Sequence, residues 1–259
     1  MKLDRRVHLV GGGAFGVSHF SDSNIYAVDC ERSTVLVDAG CGIATEVLAE
    51  NVEAEGLPPI SHILLTHSHW DHARGLAALK KLTGARAAGH RSVDAELATT
   101  MWSETYAARN GAEPVEPTAL DVYLEDGEVV DLGPVSVTTV ATPGHTSDSL
   151  CFILEDKDDG ARAVFTGDTV LGEANLGVCT ADTDFKALRG SIRRLVELGV
   201  DTLFPGHHAF ALRGGRMQVG VLDELMNSSW SGVVGGFAPM LPSWWLQHDP
   251  RQIKGWVFD

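Results

Sequence analysis

Residues 60–72 read Ile60-Ser61-His62-Ile63-Leu64-Leu65-Thr66-His67-Ser68-His69-Trp70-Asp71-His72. The first seven form a largely apolar run of strand length. It empties directly into three histidines and an aspartate within six positions. Extended backbone sends alternate side chains to the same face, so His67 and His69 point together. A helix pattern follows over about 73–82 and stops at Gly84, which puts Asp71 and His72 at a helix start. One strand end therefore gathers four side chains with nitrogen or oxygen donors, a set that suits zinc, iron or manganese. A lone histidine is ordinarily a packed or solvated residue, and His62, inside the strand, is read that way. Three histidines and an aspartate at one strand end are not.

The flanking chain repeats the arrangement. Strand signals lie at 24–29 (NIYAVD) and 34–38 (TVLVD), where Asp38-Ala39-Gly40 makes the turn, and a helix pattern covers 43–55. Further strands are expected at 129–130, 135–140, 150–154, 163–166 and 202–204, and helices at 92–109, 185–198 and 215–226. Three more donors stand directly after these strands, each preceded by glycine: Gly144-His145, Gly167-Asp168 and Gly206-His207. Glycine permits the tight turns that aim such side chains, and loops beyond strand ends are where α/β proteins place chemistry. Seven donors suffice for two metals if one carboxylate bridges. The order of elements predicts two sheets with helices outside.

The four segments T-H-S-H-W-D-H, T-P-G-H-T, T-G-D and P-G-H resemble the metallo-β-lactamase superfamily, most closely its glyoxalase II and lactonase-like branch. The resemblance covers about residues 7–226. It implies an α/β fold, a four-layer αββα sandwich with the site at one edge. It further implies that His67, His69 and His145 hold one divalent metal and Asp71, His72 and His207 a second, with Asp168 between them. Zinc is the first expectation, with iron or manganese as alternatives. Asp38 matches an aspartate that supports the ligands without touching the metals; capping its own turn is an equally good role. In such a centre a metal-bridging hydroxide attacks the carbonyl of a thioester or of an ester or lactone, and Asp71 is both ligand and the group that orients the hydroxide. β-Lactamases of this fold lack an aspartate at the position of Asp168. The resemblance also leaves a second reading open, a mononuclear iron persulfide dioxygenase.

Composition narrows the partners. A net charge of −15 and a pI near 5.0 disfavour nucleic acid, and the short basic pairs Lys80-Lys81 and Arg193-Arg194 read as solvated helix faces. A small-molecule substrate is expected. Cys30, Cys41, Cys151 and Cys179 form no C-x-x-C pair and read as reduced, buried thiols. With no apolar stretch of signal-peptide or membrane-span length, the expected location is cytoplasmic. Residues 1–229 are read as the catalytic domain. Residues 230–259, with Trp230, Phe237, Trp244, Trp245, Trp256 and Phe258, are read as an aromatic tail packed on it or at a homodimer contact. Lactonases of this family use a tyrosine beside the metals. Of Tyr26, Tyr106 and Tyr123, only Tyr106 lies where a substrate contact is expected. Ordinary helix packing is its plain alternative.

Overall fold

The computed structural model describes residues 1–98, 115–177 and 183–227. The chain divides into two units, Met1–Asp223 and Glu224–Asp259. Of the second, only residues 224–227, the end of a helix, are described. The aromatic segment 230–259, Tyr106 and Cys179 lie outside the described residues.

Two sheets form the first unit. One runs in the order β1 (Val7–Gly11), β2 (Ile25–Asp29), β3 (Thr34–Val37), β4 (Ile60–Leu64), β5 (Arg86–Gly89) and β6 (Val122–Tyr123). The other runs β11 (Thr202–Pro205), β10 (Arg162–Gly167), β9 (Leu150–Asp156), β8 (Val135–Ala141) and β7 (Val129–Asp131). Period-two alternation explains why the strands of the first sheet are apolar on both faces. Val7, Leu9, Tyr26, Val28, Val35 and Val37 face the second sheet, meeting Val137, Phe152, Phe165 and Phe204. Val10, Ile25, Ala27, Leu36 and Ile63 face outward onto helices α1 (Thr45–Ala54) and α3 (Leu76–Thr83), through Leu48, Val52, Leu76 and Leu79. On the far side, α5 (Phe185–Leu198) buries Leu188, Ile192 and Leu195 at helical spacing, and its Ser191 hydroxyl donates to Pro143 O at 2.7 Å. α6 (Gly215–Asn227) follows β11. The expected layered sandwich is the observed fold.

The helix expected over 73–82 is two pieces, α2 (Trp70–Ala73) and α3, broken at Arg74-Gly75. The break has a tertiary cause. Gly75 passes so close to Ala39 that a Cβ there would run into the Ala39 carbonyl oxygen, while Gly75 N–H donates to Gly40 O at 2.9 Å. Gly84 ends α3 as expected, with φ 71° and its N–H on Lys80 O. Strands β1, β5 and β6 are additions to the sequence reading. Of the helix expected over 92–109, Val93–Leu97 forms α4, and residues beyond 98 are not described. Among the described residues no helix is long and apolar enough to cross a membrane. Lys80 pairs with Asp121 at 2.8 Å and Arg194 with Asp126 at 2.7 Å, so these two cations are matched by acids.

Candidate metal centre

The seven donors meet at one edge of the sandwich, where β4, β10 and β11 end. His67, His69, His145 and Asp168 form one group and Asp71, His72 and His207 another, the donor atoms within each lying within 4.8 Å of one another. His145 Nε2 stands 2.8 Å from His69 Nδ1, and His207 Nε2 stands 3.0 Å from Asp71 Oδ2. Asp168 spans the groups, with Oδ2 3.6 Å from His145 Nε2 and 3.5 Å from His207 Nε2, and Oδ1 3.3 Å from His72 Nε2. His67, His72, His145 and Asp168 are buried, whereas His69, Asp71 and His207 are partly open, so the edge is accessible from their side.

The supporting contacts decide which ring nitrogens face the cluster. Asp38 is buried, with φ 69°, a backbone region costly for a residue other than glycine. Its carboxylate accepts from Thr66 N (2.8 Å), from the Thr66 hydroxyl (2.9 Å to Oδ2) and from His72 Nδ1 (2.8 Å). With the Thr66 hydroxyl donating to Asp38, His67 Nδ1–H donates to Thr66 Oγ1 at 3.0 Å. One carboxylate thus orients a histidine in each group, His72 directly and His67 through Thr66. His145 is fixed by donating Nδ1–H to Gly177 O at 2.6 Å. In all three rings Nε2 is left toward the cluster. The Asp38 side chain thus bonds Thr66 and His72 beside the histidine cluster.

The glycines before the donors are close-approach positions. Gly167 has φ 47° and lies against Thr66. At Gly206 a Cβ would strike Asp168 Oδ1 and come within 2.6 Å of His72 Cε1, so the chain carrying His207 can pass here only without a side chain. The same loop is gripped from the other sheet. Tyr26 OH donates to Pro205 O at 2.8 Å, Asn24 Nδ2 to Pro205 O and to His208 O at 3.0 Å each, and Asn24 N to Gly206 O at 2.7 Å. Sequence reasoning missed this clamp, because a tyrosine and an asparagine in an apolar strand carry no motif.

Burial dominates the electrostatics and neighbours set the signs. Burial, with His72, His69 and His145 nearby, holds His67 well below the usual imidazole range. Burial and His145 hold His69 at about 4. Burial acts the same way on His72, but Asp168, Asp38 and Asp71 together carry it well above the ordinary value. His207 is raised by Asp168 and Asp71 against burial. Burial opposes ionisation of Asp168, yet His207, His72 and His145 hold it well below the carboxylate range; Asp71 is lowered by His72 and His207 in the same way.

The donor set fits divalent ions. His67 Nε2 is buried and has no hydrogen-bond partner among the described residues, a costly state for a polar atom unless something else satisfies it. Histidine and carboxylate donors sit about 2.0–2.2 Å from zinc, so donors around one ion stand about 3–4 Å apart, close to the separations seen here. The remaining sequence candidates lie elsewhere. His62 bonds its neighbour Ser61, His8 bonds Glu55, and His208 is exposed at φ 64°. His19 packs on Phe20 and reaches Cys41 Sγ at 3.6 Å. Tyr26 is spent on Pro205, and Tyr123 is bonded to Asp94 beneath Arg91. Burial pushes the Cys30 and Cys41 thiols up to about 12 and Cys151 to about 11, so these three stay protonated.

A two-sheet sandwich with histidines and aspartates converging at one edge defines a class of metal-site proteins. A family model for the metallo-beta-lactamase superfamily matches residues 20–207, and the chain belongs to that superfamily. It is 32% identical over 208 residues to the atrochrysone carboxyl ACP thioesterase of Aspergillus fumigatus, covering 80% of this chain and 57% of that one. It is 30% identical over 198 residues to the lactamase-like protein adaB of Aspergillus niger, covering 76% and 53%. The chain thus spans little more than half the length of these curated relatives. Among solved structures, BJP-1, a subclass B3 metallo-β-lactamase of Bradyrhizobium japonicum, superposes with a TM-score of 0.67 at 18% identity, covering 93% of this chain and 96% of that one.

Proposed function

We propose that the chain is a hydrolase of acyl thioesters working with two divalent ions, zinc by preference. His67, His69 and His145 would hold one ion, Asp71, His72 and His207 the other, and Asp168 both. The observation that carries this reading is the position of Asp168, whose two carboxylate oxygens lie within 3.6 Å of donors from both groups. Bound divalent ions lower the pKa of water to near neutrality and polarise a carbonyl oxygen.

The protein's own residues supply the rest. His67 and His69 are kept neutral by burial and are ready as donors at pH 7. Asp71, partly open beside His207, accepts a hydrogen bond from the attacking water and so orients it. Asp71 and Asp168 are both held ionised by the histidines around them, so neither starts the reaction with a proton for the leaving group. That favours a leaving group that departs as its own anion. A thiol, with a pKa of about 8.5, meets this condition far better than the alkoxide of an ester or lactone. Two relatives at 32% and 30% identity that carry the name ACP thioesterase support the same choice. Asp168 weighs against a β-lactam substrate, and a lactonase tyrosine finds no support in Tyr26 or Tyr123.

The first measurement is metal content per chain on protein purified without added metal, followed by kcat/KM on matched thioesters and lactones. About two zinc ions, or a mixed pair, with thioesters preferred, is the expected result. A two-metal protein that leaves thioesters intact would sink the reading. Near one iron per chain, with oxygen uptake on a persulfide, would replace it with the dioxygenase.

A further inference from the structure

Beyond Asp168 the chain folds into a tight hairpin against the cluster. Leu171 N–H donates to Asn175 O at 2.9 Å across a short 3-10 turn, Gly172–Ala174. Inside the turn Glu173 (φ 62°) and Ala174 (φ 57°) are both left-handed. Two consecutive non-glycine residues in that region persist only where their surroundings hold them. The holders are visible. The Asn175 side chain is buried, and its Nδ2 donates to Gly172 O at 2.9 Å. Ala174 N–H donates to Gln218 Oε1 at 3.3 Å. Each end of the hairpin touches a different donor group. Gly172 N–H donates to His207 O at 3.2 Å, and the Gly177 carbonyl accepts from His145 Nδ1 at 2.6 Å. Neither end tolerates a side chain: a Cβ on Gly172 would run into Ala209 O, and one on Gly177 into Asp168 O.

We propose that Asn175 and Gly177 are positioning residues for the metal centre: Asn175 shapes the hairpin that presents the Gly177 carbonyl to His145, fixing that ring with its proton on Nδ1 and its lone pair on Nε2, toward His69. A histidine whose outer nitrogen is held by a carbonyl loses no orientation when it takes up an ion. Left unheld, His145 can rotate or carry its proton on the wrong nitrogen. The inference rests on the ion-binding half of the proposed function and is indifferent to which bond is cleaved.

The test uses the full chain with Asn175→Ala, Asn175→Asp and Gly177→Ala. Cobalt(II) affinity is measured by chelator competition, and the histidine ring N–H signals by nitrogen-resolved NMR in metal-free and metal-loaded protein. The wild type is expected to show a slowly exchanging His145 Nδ1–H. The aspartate keeps the size of Asn175 but cannot donate, so both Asn175 variants are expected to lose that protection. Affinity should fall about 10–100-fold, as for other ligand-supporting contacts, while the metal-free protein stays folded by circular dichroism. If Gly177→Ala fails to fold, the Asn175 pair decides. A folded Asn175→Ala that keeps both a protected His145 N–H and wild-type affinity overturns the proposal. A wild type that takes up no cobalt overturns the ion-binding reading itself, a separate failure that the metal-free NMR signal tells apart.

Discussion

Strands β9 and β10 carry a buried charged cluster at each end, and the two clusters solve the burial of charge in opposite ways. At one end, Arg6 reaches Asp156 (Nε to Oδ2, 3.0 Å), Glu31 (3.2 Å) and Asp158 (2.7 Å), and Asp156 Oδ1 accepts from Asp158 N. Fixed cations there, Arg6 and the exposed Arg5, pair with Glu31, Asp156, Asp158 and Asp159. At the other end stand Asp38, Asp71 and Asp168 with five histidines, and among the described residues the ion pairs of these three carboxylates are with histidines. Here His67 Nε2 has no partner among the described residues, and His72 and His207 are driven toward the protonated form by the acids around them. A balanced cluster is complete as folded. An unbalanced one, built of groups that bind either protons or metal, is suited to exchange the former for the latter. The difference teaches that burial of charge alone does not mark a site; the missing countercharge does.

The largest effect that this contrast predicts comes from removing the carboxylate shared by both donor groups. Asp168→Ala should strip at least one ion and lower kcat/KM by on the order of 10³-fold, since several kcal/mol of transition-state stabilisation go with it. Metal analysis and kinetics on the purified variant check this. Retention of two ions at wild-type affinity would break the comparison, because Asp168 would then not be the link between the groups.

Asp38 offers a finer cut. Asparagine tolerates the left-handed backbone that Asp38 adopts at φ 69°, so Asp38→Asn removes charge while sparing the turn. Metal affinity should fall about 10–100-fold, in keeping with other contacts that orient ligands. Asp38→Ala should lose at least as much affinity and in addition about 1–3 kcal/mol of stability in the metal-free protein, from backbone strain and the unmatched Thr66 and His72 donors. Chelator competition and thermal melting separate the two. Equal affinity in wild type and Asp38→Asn would mean that the contacts to His67 and His72 do not tune the site.

The opposite end should behave as structure only. Asp156→Asn leaves Arg6 its contacts with Glu31 and Asp158, so the expected cost is roughly 1–3 kcal/mol, with metal content unchanged. The pH dependence carries the sign. Burial resists ionisation of Asp156, but the Asp158 amide and Arg6 prevail and lower its pKa in the folded chain. Its contribution is therefore present above its unfolded value of about 3.9 and is lost as pH falls through the lower folded value. The advantage of wild type over Asp156→Asn should be flat near neutrality and shrink below about pH 4. An advantage that grows with acid would contradict the pairing.

How far the two ends were legible in the sequence follows from what each is made of. The candidate donors were readable because few residue types can serve, and they stand where strands end: His67, His69, Asp71 and His72 in one run, His145, Asp168 and His207 each after a glycine. The layered fold followed from β2, β3, β4, β8 and β10, whose apolar runs have strand length. Strand β5, Arg-Ala-Ala-Gly, and β6, two residues long, escaped because alanine and glycine carry little strand signal and pairing alone defines them. The break at Gly75 reflects the approach of Ala39, 36 residues earlier in the chain, which no local pattern shows. The Gly177 carbonyl is invisible for a simpler reason: a backbone oxygen leaves no mark on residue type. The Arg6 cluster escaped as well, since scattered acids and arginines look alike whether paired or solvated.

Tyr26 lies between the two ends and gives the smallest effect. Its ring packs against Phe165 and Phe204, with centroids 5.4 and 5.2 Å away, and belongs to the apolar core. Its hydroxyl belongs to the site, through the bond to Pro205 O. Tyr26→Phe keeps the first and deletes the second. Pro205 O retains Asn24 Nδ2 at 3.0 Å, so no acceptor is orphaned, and the loss should be about 0.5–1.5 kcal/mol. Because Asn24 still holds Gly206 and His208, ion content should stay at the wild-type level while the melting temperature falls. If ions are lost instead, the core and the metal loop are one cooperative unit, and the contrast between a finished structural end and a poised chemical end must be drawn inside the clamp rather than along the strands.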